Sequence, residues 1–147
     1  MTGGMTRQTE LSTADGFGMD KALKRVVFDN DAVSVALFTV TGTVIVRVIA
    51  VCEVVCASAA GCNGSVGIAA APAAIIALTD LTLLAAQEIW HDNAPDAEIE
   101  ALTVLREFII SDGNDIALAL SAQADSGTVA FYCFWTPVSD DGALIPV

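Results

Sequence analysis

Positive charge is scarce in this sequence. Six Lys and Arg stand against eighteen Asp and Glu, a formal net charge of −12. Four of the six basic residues, Arg7, Lys21, Lys24 and Arg25, fall in the first 25 residues, where Glu10, Asp15 and Asp20 leave a local sum of +1 and the remainder at −13. A body this acidic repels phosphate backbones, so direct contact with nucleic acid is not expected. Histidine occurs once, as His91. There is no P-loop, no GxGxxG and no GxSxG, since Gly64-Ser65-Val66-Gly67 does not match the last of these. These gaps leave no recognisable nucleotide-binding or hydrolase motif, and no catalytic residue is assigned.

The cysteines are Cys52, Cys56, Cys62 and Cys133, without a CxxC pair. With a single histidine they lack the spacing of a structural zinc site. On one straight strand Cys52 and Cys56 would stand about 13 Å apart, at roughly 3.3 Å per residue, whereas a disulfide needs Cα atoms within about 7 Å. A Cys62–Cys133 bridge is the alternative pairing. The expectation is buried free thiols, with no metal ligand among them and no cofactor.

The first twenty residues are polar and Gly-containing and lack the apolar centre of a signal peptide. Two long apolar spans, 33–60 and 66–86, raise the question of a membrane. The first carries Arg47 and Glu53, each costing about 2.5–3.5 kcal/mol at a bilayer centre. The second carries Pro72 and Asp80, and both are rich in Val, Thr, Gly and Ala rather than Leu and Phe. No membrane span is expected.

Apolar residues are abundant. They make up 54% of 147 residues and charged residues only 16%, against about a quarter in ordinary globular domains. The length suits one compact domain. Such a domain cannot easily hide this much apolar surface alone, which points to an oligomer.

Residues 1–24 read as an extended arm with four glycines and no sustained apolar period. Residues 25–147 read as strands between turn signals: 25–28, 33–40, 43–55, 65–70, 74–79, 81–85, 87–91, 108–111, 115–122 and 128–136. The segment 98–105 is ambiguous, and Ala and Leu leave helix open over 65–85. Asp112-Gly113-Asn114 is a hairpin signal. Ile116, Leu118 and Leu120 alternate with Ala117, Ala119 and Ser121. Val129, Phe131, Cys133 and Trp135 share one face, and Ala130, Tyr132 and Phe134 the other. The run 44–51 is also apolar on both faces apart from Arg47. The fold class is therefore all-β, an antiparallel sandwich of jelly-roll-like form whose outer face meets another chain.

Two acidic groups could offer oxygens to calcium: Asp92, Asp96, Glu98 and Glu100, and Asp112-Gly113-Asn114-Asp115. Neither has the EF-hand pattern, and both read as solvated turns. His91, between Trp90 and Asp92, reads as a loop or edge-strand histidine. Asn63-Gly64-Ser65 matches a glycosylation acceptor and reads as a turn.

From about Phe38 onward, roughly three quarters of the chain resembles the small structural proteins of tailed-phage morphogenesis clusters. The residues that carry this are the Gly-Thr-Val opening of a long strand in TVTGTVIVRVIAVCEVV, the middle EIWHDNAPDAEIEAL, and the end ISDGNDIALALSAQADSGTVAFYCFWTPVSDDGALIPV. The resemblance implies a virion component assembled in the bacterial cytoplasm, a compartment that keeps thiols reduced. The leading expectation is a capsid decoration or cement protein, a homo-oligomer bound to the major capsid protein or other virion proteins. A head–tail junction or tail component is the nearby alternative. A β-barrel holding a small apolar ligand against Trp90, Phe131, Phe134 and Trp135 is the alternative of a different class. In the structural reading the partner-binding residues are Arg7, Leu11, Phe17, Leu23 and Arg25, apolar anchors and basic groups suited to an acidic neighbour.

Overall fold

The computed structural model describes residues 19–30, 34–96, 98–111 and 113–147. Among the described residues ten strands follow one another: β1 Asp20–Val27, β2 Ser34–Thr41, β3 Val44–Ala57, β4 Asn63–Ile68, β5 Ala71–Asp80, β6 Ile89–Trp90, β7 Phe108–Ile110, β8 Ile116–Leu120, β9 Ser126–Pro137 and β10 Ala143–Pro146. They form two antiparallel sheets. The first has the order β1-β9-β3-β6, with β7 also paired to β3. The second runs β10-β2-β8-β4-β5. Among the described residues no helix is long and apolar enough to cross a membrane.

Alternation builds the core. In β3 the residues Val44, Val46, Val48, Ala50 and Cys52 are all buried, as are Val129, Phe131 and Cys133 in β9. They join Phe38 and Leu37 of β2, Val66 of β4 and Ile116 and Leu118 of β8 in one apolar cluster between the sheets. Val and Ile suit these positions because a β-branched side chain packs well on a pleated, half-buried surface. The chain passes from the second sheet to the first at Gly42, whose φ of +63° and lack of a side chain fit a tight turn. Thr43 N–H donates to Ser139 Oγ there at 2.8 Å, tying the turn to the end of β9. Pro72 lies in β5, an edge strand, where a missing N–H costs the sheet least.

Several boundaries differ from the sequence expectation. β1 begins at Asp20, so residues 20–24, read as part of the arm, pair with β9 from Trp135 to Phe131. The run 81–85 is not a strand. Asp80 Oδ1 accepts from Thr82 N–H at 2.9 Å and turns the chain into a short 3-10 turn, Leu81–Leu83. The ambiguous 98–105 segment contains a second 3-10 turn, Leu102–Val104. Beyond 136, where no strand was expected, Ala143–Pro146 forms β10 against β2.

Candidate interface and the His91 cluster

The outer face of the first sheet is a set of cross-strand rows. Leu23 of β1 lies opposite Tyr132 of β9, and Tyr132 opposite Ile49 of β3. The next row joins Arg25, Ala130 and Val51, and the row beyond it Val27, Thr128 and Val54. On the other side of Leu23 come Lys21, Phe134 and Arg47, then Thr136, Ile45 and Ile109. The middle of this face is half-buried by its own neighbours at Ile45, Ile49, Val51, Tyr132 and Phe134. Its margins are open: Val27 and Ile109 are each 66% exposed and Val54 is 56% exposed. The expectation of strands apolar on both faces thus holds, with the outer face partly covered inside the chain.

Two ion pairs cross this face. Arg25 donates to Glu53 through two nitrogens, Nε to Oε1 at 2.6 Å and a terminal nitrogen to Oε2 at 3.0 Å. These hydrogen bonds, with the charge of the guanidinium, hold the Glu53 carboxyl below the usual carboxylate range and push the guanidinium up. Arg47 Nε donates to Glu107 Oε2 at 3.0 Å. Both pairs neutralise charges that would otherwise interrupt an apolar patch.

Beside Ile49 and Ile89 the chain folds back over the sheet edge. The Leu102–Val104 turn walls a cavity of about 90 Å³ bordered by Ile49, Ile89, Leu102, Leu105, His91 and Glu100. The His91 side chain is only 5% exposed, and three carboxylates converge on it. Asp92 Oδ2 is 3.7 Å from Nδ1, Asp96 Oδ2 is 3.4 Å from Nε2, and Glu100 Oε2 is 3.3 Å from Nε2. Asp96 and Glu100 share a hydrogen bond, which raises the Asp96 carboxyl and lowers that of Glu100. His91, Asp92 and Asp96 can present ligand atoms within 4.8 Å of one another. The sequence showed these acids as solvated turns and His91 as an edge residue. The structure gathers all but Glu98 around a buried ring. The signal available in the sequence was a histidine followed by acids at the first, fifth and ninth positions after it.

All four cysteines are free and buried, so no Cys62–Cys133 bridge exists. As expected, Cys52 and Cys56 are buried without a disulfide between them, and Cys52 Sγ donates to the Val54 carbonyl at 3.4 Å. β3 carries register shifts between Cys52 and Ala57. Gly127 makes room for this, because a Cβ there would sit 2.6 Å from the Cα of Cys56. Burial pushes the Cys56 and Cys133 thiols up to about 12.

Of the residues expected to bind a partner, Leu23 and Arg25 sit on the outer face of β1, the former 37% exposed. Arg7, Leu11 and Phe17 lie outside the described residues. Of the four aromatics expected to line a ligand barrel, Trp90 and Phe131 are fully buried between the sheets with ring centroids 6.0 Å apart. Phe134 lies on the opposite face of β9 from Phe131, so the four do not line one cavity. No protein family, curated protein or solved structure matches the chain.

Proposed function

We propose that this chain is a non-enzymatic structural protein of a tailed-phage virion, a capsid decoration or cement protein that holds neighbouring subunits through the outer face of its first sheet. The single observation behind the reading is the band Leu23–Tyr132–Ile49 with its exposed margins, Val27, Val54 and Ile109, on a sandwich whose core is already filled. Apolar area of this kind gains about 25 cal/mol per Å² when it leaves water. A second copy of this chain, or the shell protein beside it, is the surface expected to cover it. The jelly-roll-like form and the N-terminal arm, with Arg7, Leu11 and Phe17 as further anchors, belong to the same reading, as does the resemblance of the chain from Phe38 onward to tailed-phage structural proteins.

The test is light scattering coupled to size-exclusion chromatography, followed by co-sedimentation with shells of the major capsid protein. The reading expects assembly, with an interface above roughly 1,000 Å², and retention on shells. A chain that stays monomeric at high concentration and does not sediment with shells would remove it. Truncation experiments should stop before β1, since deletion of residues 1–24 takes away five of its eight residues, Asp20 to Lys24.

A further inference from the structure

Three carboxylates, their side chains 48%, 39% and 22% exposed at Asp92, Asp96 and Glu100, converge on one imidazole that is 5% exposed. A histidine Nε2 carries at most one proton and can satisfy one acceptor, yet Asp96 and Glu100 approach it at 3.4 and 3.3 Å. Among the described residues the ring nitrogens have no other partners than the carboxylates of this cluster. The ring itself is withdrawn from water, so it is not a surface histidine that happens to lie among acids.

We propose that His91 Nε2, Asp96 and Glu100 bind one divalent transition-metal cation of the zinc type, with Asp92 orienting the imidazole from the Nδ1 side. Spacing supports this. Tetrahedral zinc with bonds of about 2.0–2.2 Å to nitrogen and oxygen holds adjacent ligand atoms about 3.3–3.6 Å apart. The separations of 3.4 and 3.3 Å from Nε2 fall in that interval. The ligand set is one nitrogen and two oxygens, and three protein ligands is the number in zinc sites that keep a fourth position for water. Calcium prefers six to eight oxygens and has little use for the imidazole. Asp92 supplies what metal-bound histidines usually have, a carboxylate facing the second ring nitrogen.

The backbone holds these groups in place. Ile89 and Asp96 exchange two backbone hydrogen bonds, both 2.9 Å, which close the loop between them. Thr79 Oγ1 of β5, within 2.8 Å of the Ala77 carbonyl, also lies 3.2 Å from the Asp92 carbonyl, so the loop sits against β5. Glu100 Oε1 accepts from Ala101 N–H at 2.8 Å, leaving Oε2 for the ring or an ion. The site stands independently of the assembly role proposed above.

The experiment is isothermal titration of the full chain with zinc chloride after chelator treatment and desalting, repeated on Asp96→Asn and Glu100→Gln. Both substitutions are near-isosteric, and circular dichroism checks that the fold is kept. His91→Gln is a third variant. One zinc per chain is expected, weakened at least tenfold in Asp96→Asn and Glu100→Gln, with a zinc-dependent rise in melting temperature that those variants lose. Cobalt substitution should give visible ligand-field bands without the intense near-ultraviolet charge transfer of thiolate ligands. No binding at millimolar zinc, binding unchanged in both carboxylate variants, or a thiolate charge-transfer band would each overturn the proposal.

Discussion

Leu23, on the edge strand β1, lies directly opposite Tyr132 in the β1–β9 ladder, in the middle row of the outer apolar face. If this face is the contact surface, a charge at Leu23 must be desolvated against the partner. Leu23→Arg should therefore weaken self-association or shell binding at least tenfold, roughly 1.4 kcal/mol, while leaving the sandwich folded. Leu83→Arg, on the 3-10 turn where Leu83 is 74% exposed, is the control and should change nothing. Light scattering across a dilution series checks both.

The Arg25–Glu53 pair gives a pH signature. Glu53 is held below its ordinary value by hydrogen bonds from Arg25. A carboxyl lowered on folding contributes stability that is present above its unfolded value and is lost as pH falls through the folded one. Glu53→Gln should thus cost stability at neutral pH and cost progressively less as the solution is acidified below the normal glutamate range. Denaturant melts of both proteins from neutral to acid should converge. Because both side chains are substantially exposed, the difference should be small and should shrink with salt.

The thiols should be silent in the native state. With Cys56 and Cys133 pushed up to about 12 by burial, their thiolate fraction at neutral pH is negligible. A thiol reagent at pH 8 should modify them only after denaturant is added, at the rate of unfolding. Cys133→Ser should cost about 1–3 kcal/mol, because it places a hydroxyl in an apolar core position. Chemical denaturation measures the second effect.

Gly127 tests the irregular end of β3. Its φ is +118°, a region L-residues avoid, and an added Cβ would meet the Cα of Cys56 at 2.6 Å. Gly127→Ala should lower stability by at least about 2 kcal/mol, from backbone strain and from displacing Cys56. A melting temperature equal to that of the parent would show that this part of β3 can relax.

Much of the sandwich was legible from alternation. The strands at Val44–Ala57, Ile116–Leu120 and Ser126–Pro137 declare themselves by Val, Ile and aromatic periodicity, and that periodicity sorts core from outer face correctly in β9. What escaped was decided by pairing across long distances. Asp20–Lys24 has no strand-like composition of its own and is ordered by the β9 ladder. Leu81–Leu83 looks like a strand and is bent by the Asp80 cap. The tail at Ala143–Pro146 becomes a strand because the free side of β2 accepts it. The irregular end of β3, with register shifts between Cys52 and Ala57 and Gly127 leaving space beside Cys56, is not visible in the alternation of its residues. The His91 cluster was hidden for the same reason, since burial of a ring under a loop cannot be read from a run of acids.

The most direct test of the proposed role is hydroxyl-radical footprinting of the chain when dilute and when assembled. The outer-face reading predicts that Tyr132 and Phe134, half-buried in the single chain, become strongly protected on assembly together with Leu23 and Ile49, while Leu83 does not change. Equal labelling of Tyr132 and Phe134 in the two states would contradict it.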